Sequence, residues 1–235
     1  MTFAFDRLLH RIFPAIVLVL LSACALAEEP YRLEPVDLAP NALPSGLQDK
    51  ISPKGLRLVT DSNGLRMEIC EVFWTKEAAG QTRPAKSKLI YTDLAPGALV
   101  GVLHFLPSAS EDYREDFRDQ KLKAGYYTMR YAVAPDDDDQ DALWLSPAAA
   151  DRDGEAKVTL DDLKRRSKLA SGTRQPAVLH LVPTEIGKKD FPGLRADNQG
   201  TCVLDLQFPV KVGSAPAHDM PLALIIVTPK ESDAS

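Results

Sequence analysis

The stretch DRDGEAKVTLDD, residues 151–162, has the spacing most suggestive of chemistry. Read as a twelve-residue calcium loop, it puts Asp151, Asp153 and Glu155 at positions 1, 3 and 5, Val158 at 8, Thr159 at 9 and Asp162 at 12. Hard oxygen donors at alternating positions are what Ca²⁺ needs to fill its coordination sphere. Departures from an EF-hand loop are plain. Ala156 stands where the sharp turn wants glycine, Asp162 is shorter than the usual bidentate glutamate, and no helix precedes the loop. The same residues also make a polar turn followed by a helix N-cap. Asp136–Asp139 with Asp141 form a second acidic cluster, which reads either as a solvated loop or as a site for calcium or a cationic ligand.

Other constellations are weaker. His104, Cys202, His218 and Met220 are the residue types of a blue-copper centre. The fifteen residues between Cys202 and His218 are far more than a tight copper loop has. His104 and His180 sit in the middle of apolar runs, where a core or surface histidine is the default. There is no G-x-S-x-G elbow, no H-E-x-x-H, no C-x-x-C and no phosphate-binding G-x-x-x-x-G-K-[ST]. No catalytic residue is therefore named from the sequence. Trp74, Tyr126, Tyr127, Tyr131 and Trp144 can line a ligand face or fill a core.

The elements that would position these residues are mostly strands. Leu65–Trp74, Ala98–Leu106, Tyr126–Ala134, Ala142–Ser146, Ala177–Val182, Thr201–Phe208 and Leu222–Thr228 are strand-length runs rich in Val, Ile, Tyr and Phe. Gly55–Thr60 and Lys88–Thr92 are lesser candidates, and Ser108–Lys121 reads as a short irregular edge segment. Pro107, Pro135, Pro147, Pro183, Pro209 and Pro229 follow six of these runs. Proline has no N–H for a ladder, so it belongs at strand ends. The expected fold is mainly β, an antiparallel β-sandwich with one short α-helix at about 159–171. That helix has Thr159 as N-cap, Asp161 and Asp162 in its first turn, basic residues toward its end and Gly172 to close it. Leu160, Leu163 and Ala170 are expected to face the sheet.

The N-terminus reads as an address. Arg7 and Arg11 precede an apolar run, IFPAIVLVLL at 12–21, and small residues follow. This is the layout of a secretory signal peptide over 1–27. The apolar stretch ends by Ala27 and is interrupted by Pro14, too short for a stable span. Two processing routes stay open: cleavage after Ala25-Leu26-Ala27, or a lipobox-like Leu21-Ser22-Ala23-Cys24 in which Cys24 is lipidated and tethers the chain to a membrane. Residues 28–54 read as an extended arm or linker, 55–230 as the β-sandwich domain and 231–235 as a tail. Two cysteines besides Cys24, Cys70 and Cys202, can pair in an oxidising compartment or stay as buried thiols.

The segments LKAGYYTMRYAVAP (122–135), LWLSPAAAD (143–151) and SGTRQPAVLHL (171–181) resemble a group of exported bacterial β-sandwich proteins of unknown function. The resemblance implies an extracytoplasmic sandwich and carries no activity. Composition fits one globular domain: 235 residues, 45% hydrophobic and 26% charged. A net charge of -5 argues against a nucleic-acid partner, which requires clustered Lys and Arg. The expected location is the periplasm, the exterior, or the outer membrane through a lipid anchor. The expected role is non-catalytic binding of an envelope ligand or protein, with no cofactor unless calcium. The alternatives are a periplasmic hydrolase or sugar-acting enzyme, and a calcium-stabilised module.

Overall fold

Most of the apolar runs become strands in the computed structural model of the protein. It describes residues 31–62, 65–82, 89–109, 114–116, 119–133, 141–185, 191–196 and 201–228. The signal peptide, Cys24 and the 231–235 tail lie outside the described residues. Eleven strands are formed: β1 (Tyr31–Asp37), β2 (Lys54–Ser62), β3 (Leu65–Trp74), β4 (Ala78–Ala79), β5 (Leu99–Phe105), β6 (Gly125–Val133), β7 (Asp141–Pro147), β8 (Ala177–Val182), β9 (Gly193–Ala196), β10 (Cys202–Lys211) and β11 (His218–Val227). Lys88–Thr92 forms no strand among its described residues.

The strands make one sheet rather than two, in the order β1-β2-β3-β5-β6-β7-β8-β11-β10-β4, with β9 also on β10. Pairing is antiparallel except for the two-residue match of β4 to β10. The fold is therefore mainly β as expected, but the sheet curls into a nearly closed barrel instead of folding into a sandwich. The right-handed twist of each strand pair carries the sheet round on itself. Inward side chains of nearly every strand fill the middle, including Leu58, Val72, Leu103, Phe105, Tyr131 and Phe208. The interior is thus a packed core.

The seam between β8 and β11, which joins the run β1 to β8 to the strands β11, β10 and β4, carries polar pins. Only Ala223 with Val182 and Leu224 with Leu181 pair across β8 and β11. There the buried hydroxyl of Tyr91 accepts from the Ala223 N–H and donates to the Val182 carbonyl, standing in for a ladder bond. Burial pushes the Tyr91 hydroxyl up to about 12. Asp141, expected in a solvated acidic loop, is buried instead. It accepts from the Ile90 and Tyr91 N–H groups and from the Tyr131 hydroxyl.

Pro35 lies inside β1, and two further prolines sit inside β10 and β11 rather than at their ends. Pro209 pairs with Asp219 and Pro221 with Gln207 in the β10–β11 ladder. Register explains both. Ala223, opposite Asp205, sends its N–H away from β10 to Tyr91. The pair is therefore of the non-hydrogen-bonded kind, and so are the same-parity pairs Gln207–Pro221 and Pro209–Asp219. The nitrogens of Pro209 and Pro221 point off the ladder, where no donor is missed.

Within the expected arm 28–54, the described residues, from 31 on, are not a loose linker. From Tyr31, β1 pairs with β2 in register from Tyr31–Thr60 to Asp37–Lys54. The chain then crosses the outer face of the sheet, with one turn of helix α1 (Ser45–Gln48). Leu38, Leu43, Leu47 and Ile51 bury themselves on Phe73, Leu99 and Val102 there. The punctuating prolines mark the turns of this cap rather than disorder. Gly55 gives Phe73 room: a Cβ would come within 2.4 Å of the Phe73 ring.

The expected helix is α2 (Leu160–Ser171). Thr159 caps it by accepting from the Asp162 N–H, and Gly172 ends it with φ of 64°. Leu163, Ser167, Ala170 and Ser171 are its buried residues, and it packs over Trp144 and Val178 on the outer face. Leu160 is not among them, since the helix turns it toward solvent. Among the described residues no helix is long and apolar enough to cross a membrane.

Candidate functional site

The proposed calcium loop is built around an ion pair. Asp151 is buried, and its two oxygens are occupied by guanidiniums. Arg130 Nε donates to Oδ2 at 2.6 Å and Nη2 to Oδ1 at 3.0 Å, while Arg166 Nη1 reaches Oδ1 at 2.6 Å. Arg130 itself is wholly buried and spends its remaining donors on the Gly97 and Glu155 carbonyls. Asp162 lies on the helix cap, bound by Thr159 and Arg165, which together hold its carboxyl below the usual range. The left-handed turn falls at Gly154, with φ of 57°, and not at Ala156. A Cβ at Gly154 would approach the Gly46 carbonyl oxygen at 2.5 Å, so this glycine seats the loop on α1. Asp153 and Glu155 are exposed, unlike the buried Asp151. Among the described residues no group of three His, Cys, Asp or Glu is placed to hold a metal ion. The loop is a structural clasp joining β6, the segment after β7, and α2.

The copper-type residues are also separated. His104 faces outward and Cys202 inward. Cys70 and Cys202 are fully buried in the same interior cluster and form no disulfide with each other. Burial, with Cys202 and then Glu71 nearby, raises the Cys70 thiol far above its ordinary value.

What the fold does assemble lies on the outer face, beside the cap. Register places Arg57 opposite Glu71, Glu71 opposite His104, and His104 opposite Tyr126. Four side chains from four adjacent strands thus form one continuous row. Arg57 donates to Glu71 Oε1 through Nε at 3.0 Å and Nη2 at 2.6 Å, and through Nη1 to Glu68 at 2.9 Å. His104 Nδ1 lies 2.8 Å from Glu71 Oε2. The His104 and Tyr126 rings stack, with centroids 3.8 Å apart and planes within 8°.

Electrostatics fix the roles. Burial alone would raise Glu71, but hydrogen bonds from His104 and Arg57 outweigh it and hold the carboxyl below the ordinary range. An ionised carboxylate only accepts, so the His104 Nδ1 carries the proton it donates. Nε2 is left as the ring's second polar atom. Arg57 is raised by its bond to Glu71, and Tyr126 is raised by burial and then by Glu71. Farther along the face, Arg66 bridges Glu34 and Glu68, and Arg32 bridges Glu34 and Asp61. Chemically the row offers an oriented imidazole, an aromatic face and a guanidinium, all braced by one buried carboxylate.

Sequence reading placed Tyr126 among the aromatics and His104 among doubtful copper ligands, but missed Glu71 and Arg57. Glu71 did carry a signal, as an acid set between Cys70 and Val72 in the middle of the run MEICEVFW (67–74). A charged residue buried in a strand implies a partner on the next one. Among the described residues, cavities elsewhere include three. One of about 170 Å³ is lined by Trp74, Phe191, Pro192, Leu206, Gln207 and Asp219. A second of about 260 Å³ lies among Arg114, Lys121, Leu122 and Lys123. A third of about 150 Å³ lies between the α1 cap and the Gly154 turn. No protein-family model, curated protein or solved structure matches this chain.

Proposed function

We propose that the protein is an exported bacterial envelope protein that binds a ligand or partner without transforming it, through the outer face centred on Arg57, Glu71, His104 and Tyr126. The carrying observation is the cross-strand row itself. Its carboxylate is spent on orienting His104 and Arg57, so the row presents fixed recognition groups on a rigid wall. A packed barrel interior leaves the outer face and strand ends as the surfaces available for recognition. Export rests on the signal-peptide layout of residues 1–27.

Titrating the protein with a soluble cell-wall digest, followed by NMR of the histidine and tyrosine rings, tests the reading. Saturable shifts at His104 and Tyr126, weakened at least about tenfold in His104→Ala, are the expected result. Saturable binding that leaves both rings unmoved, with His104→Ala binding normally, would move the site elsewhere. The carboxylate–imidazole contact also favours one other reading, a hydrolase in which His104 Nε2 serves as general base. That reading requires turnover of ester or glycoside model substrates that both His104→Ala and Glu71→Gln abolish.

A further inference from the structure

The edge of β10 is covered in two pieces that leave a gap. β9 pairs with Cys202 to Asp205, and β4 pairs with Val210 and Lys211. Between them, among the described residues, no strand pairs with the outer edge of Leu206–Pro209. Gln207 lies opposite Pro221, in the same parity as the Asp205–Ala223 pair, so its N–H and C=O point away from β11 and into this gap. The gap contains a donor and an acceptor in ladder position, together with Pro209, which has no N–H to satisfy.

The cavity of about 170 Å³ sits at this place. Leu206 and Gln207 form its β10 wall, and Phe191 and Pro192 border it where β9 begins at Gly193. Trp74, from the inward-facing row at the end of β3, adds a second aromatic ring. Asp219 stands two residues from Pro221 on β11, on the same outer face as the Gln207 side chain. It is exposed, and among the described residues no cation pairs with it.

We propose that this gap binds the N-terminal residues of an extended peptide as a short added strand. The peptide amide pairs with the backbone N–H and C=O of Gln207, its first apolar side chain packs on Trp74 and Phe191, and its free α-ammonium pairs with Asp219. Three features favour a peptide over other small ligands. A ladder position offers one donor and one acceptor at peptide spacing. Two aromatic rings match an apolar side chain. An exposed carboxylate in the cavity lining complements an ammonium group. The site lies apart from the row of Glu71 and His104, so the two readings stand or fall separately.

The test uses intrinsic fluorescence of a Trp144→Phe background, which leaves Trp74 as the single reporter. Glycyl-leucyl-glycine is the probe, with its N-acetylated form and glucose as comparisons. A saturable Trp74 signal is expected with the free-amine peptide. It should weaken about tenfold or more on acetylation and in Asp219→Asn, the loss of one charge-assisted contact. Gln207→Pro should weaken it similarly, because it removes only an N–H that the β11 ladder does not use. Should Gln207→Pro fail to fold by thermal melting, Asp219→Asn alone decides. No saturable signal, equal affinity for the acetylated peptide and Asp219→Asn, or a response to glucose matching that to the peptide would each overturn the proposal.

Discussion

Replacing Asp151 by Asn separates the structural clasp from the calcium loop. The substitution keeps size and shape and removes one charge. What it leaves behind decides the cost. Arg130 has no exposed surface, and its Nε and Nη2 lose the carboxylate they bind at 2.6 and 3.0 Å. Its bonds to the Gly97 and Glu155 carbonyls remain but carry no charge to balance the guanidinium. Removing one partner of a buried pair costs about 3–5 kcal/mol, because the surviving charge stays desolvated. Arg166 also loses its contact, but it is partly exposed and can reach water. For a domain of this size each kcal/mol lowers Tm by about 2–4 °C, so the loss is about 6–20 °C. Arg165→Ala provides the control. It breaks an exposed i,i+3 pair with Asp162, worth at most about 0.5 kcal/mol. Urea and thermal melts of the three proteins, each with and without EDTA, make the assay. A loss below about 1 kcal/mol for Asp151→Asn would refute the clasp. A wild-type melt that EDTA lowers to the Asp151→Asn value would restore the calcium reading.

Three further outcomes follow from the same contacts. Tyr91→Phe removes the hydroxyl between Val182 and Ala223 and should cost about 1–3 kcal/mol, with faster hydrogen exchange at Ala223 than at its β11 neighbours; unchanged exchange there would show that the strands close without it. Glu71 has its carboxyl held below the unfolded value, so its ion pairs contribute stability that is present above the unfolded pKa of about 4.3 and is lost as pH falls through the folded value. The gap in stability between wild type and Glu71→Gln should therefore be constant at neutral pH and shrink in acid; a gap that widens in acid would reverse the sign assigned here. Cys70 and Cys202 should resist iodoacetamide in the native protein and react together on unfolding, read by intact mass; rapid native alkylation of either would contradict their burial.

Strands were legible because the apolar runs and their side-chain alternation are local properties. β3 and β8 begin and end where the sequence indicates, and α2 is bounded by Thr159 and Gly172 through hydrogen bonds made within the segment itself. Closure was not legible. Whether a sheet folds over a second sheet or curls on itself depends on which distant edges meet, and β8 meeting β11 is decided by two residue pairs and the Tyr91 hydroxyl. The cap was misread for a related reason. Prolines 40, 44 and 53 mark bends of the chain while Pro35 lies within β1, but Leu38, Leu43, Leu47 and Ile51 find their partners only on Phe73, Leu99 and Val102, which follow later in the chain.

The candidate site shows the same limit with sharper consequences. Aspartates at 151, 153 and 162 suggested an ion because they are close in sequence, whereas the cations that bind Asp151 come from positions 130 and 166. Arg57, Glu71, His104 and Tyr126 are spread over seventy residues and share no motif. Each looks unremarkable alone, and register alone brings them into line. One rule would have found them. A titratable residue in the middle of a run whose neighbours are buried on both sides must be answered from an adjacent strand, since leaving it unpaired costs several kcal/mol. Applied to the run 67–74, that rule singles out Glu71. Applied to 125–133, it singles out Arg130, whose partner Asp151 then belongs to the clasp before any ion is considered. In a barrel with a packed interior, buried charge on the outer face is thus a better guide to the built surfaces than the spacing of exposed acids.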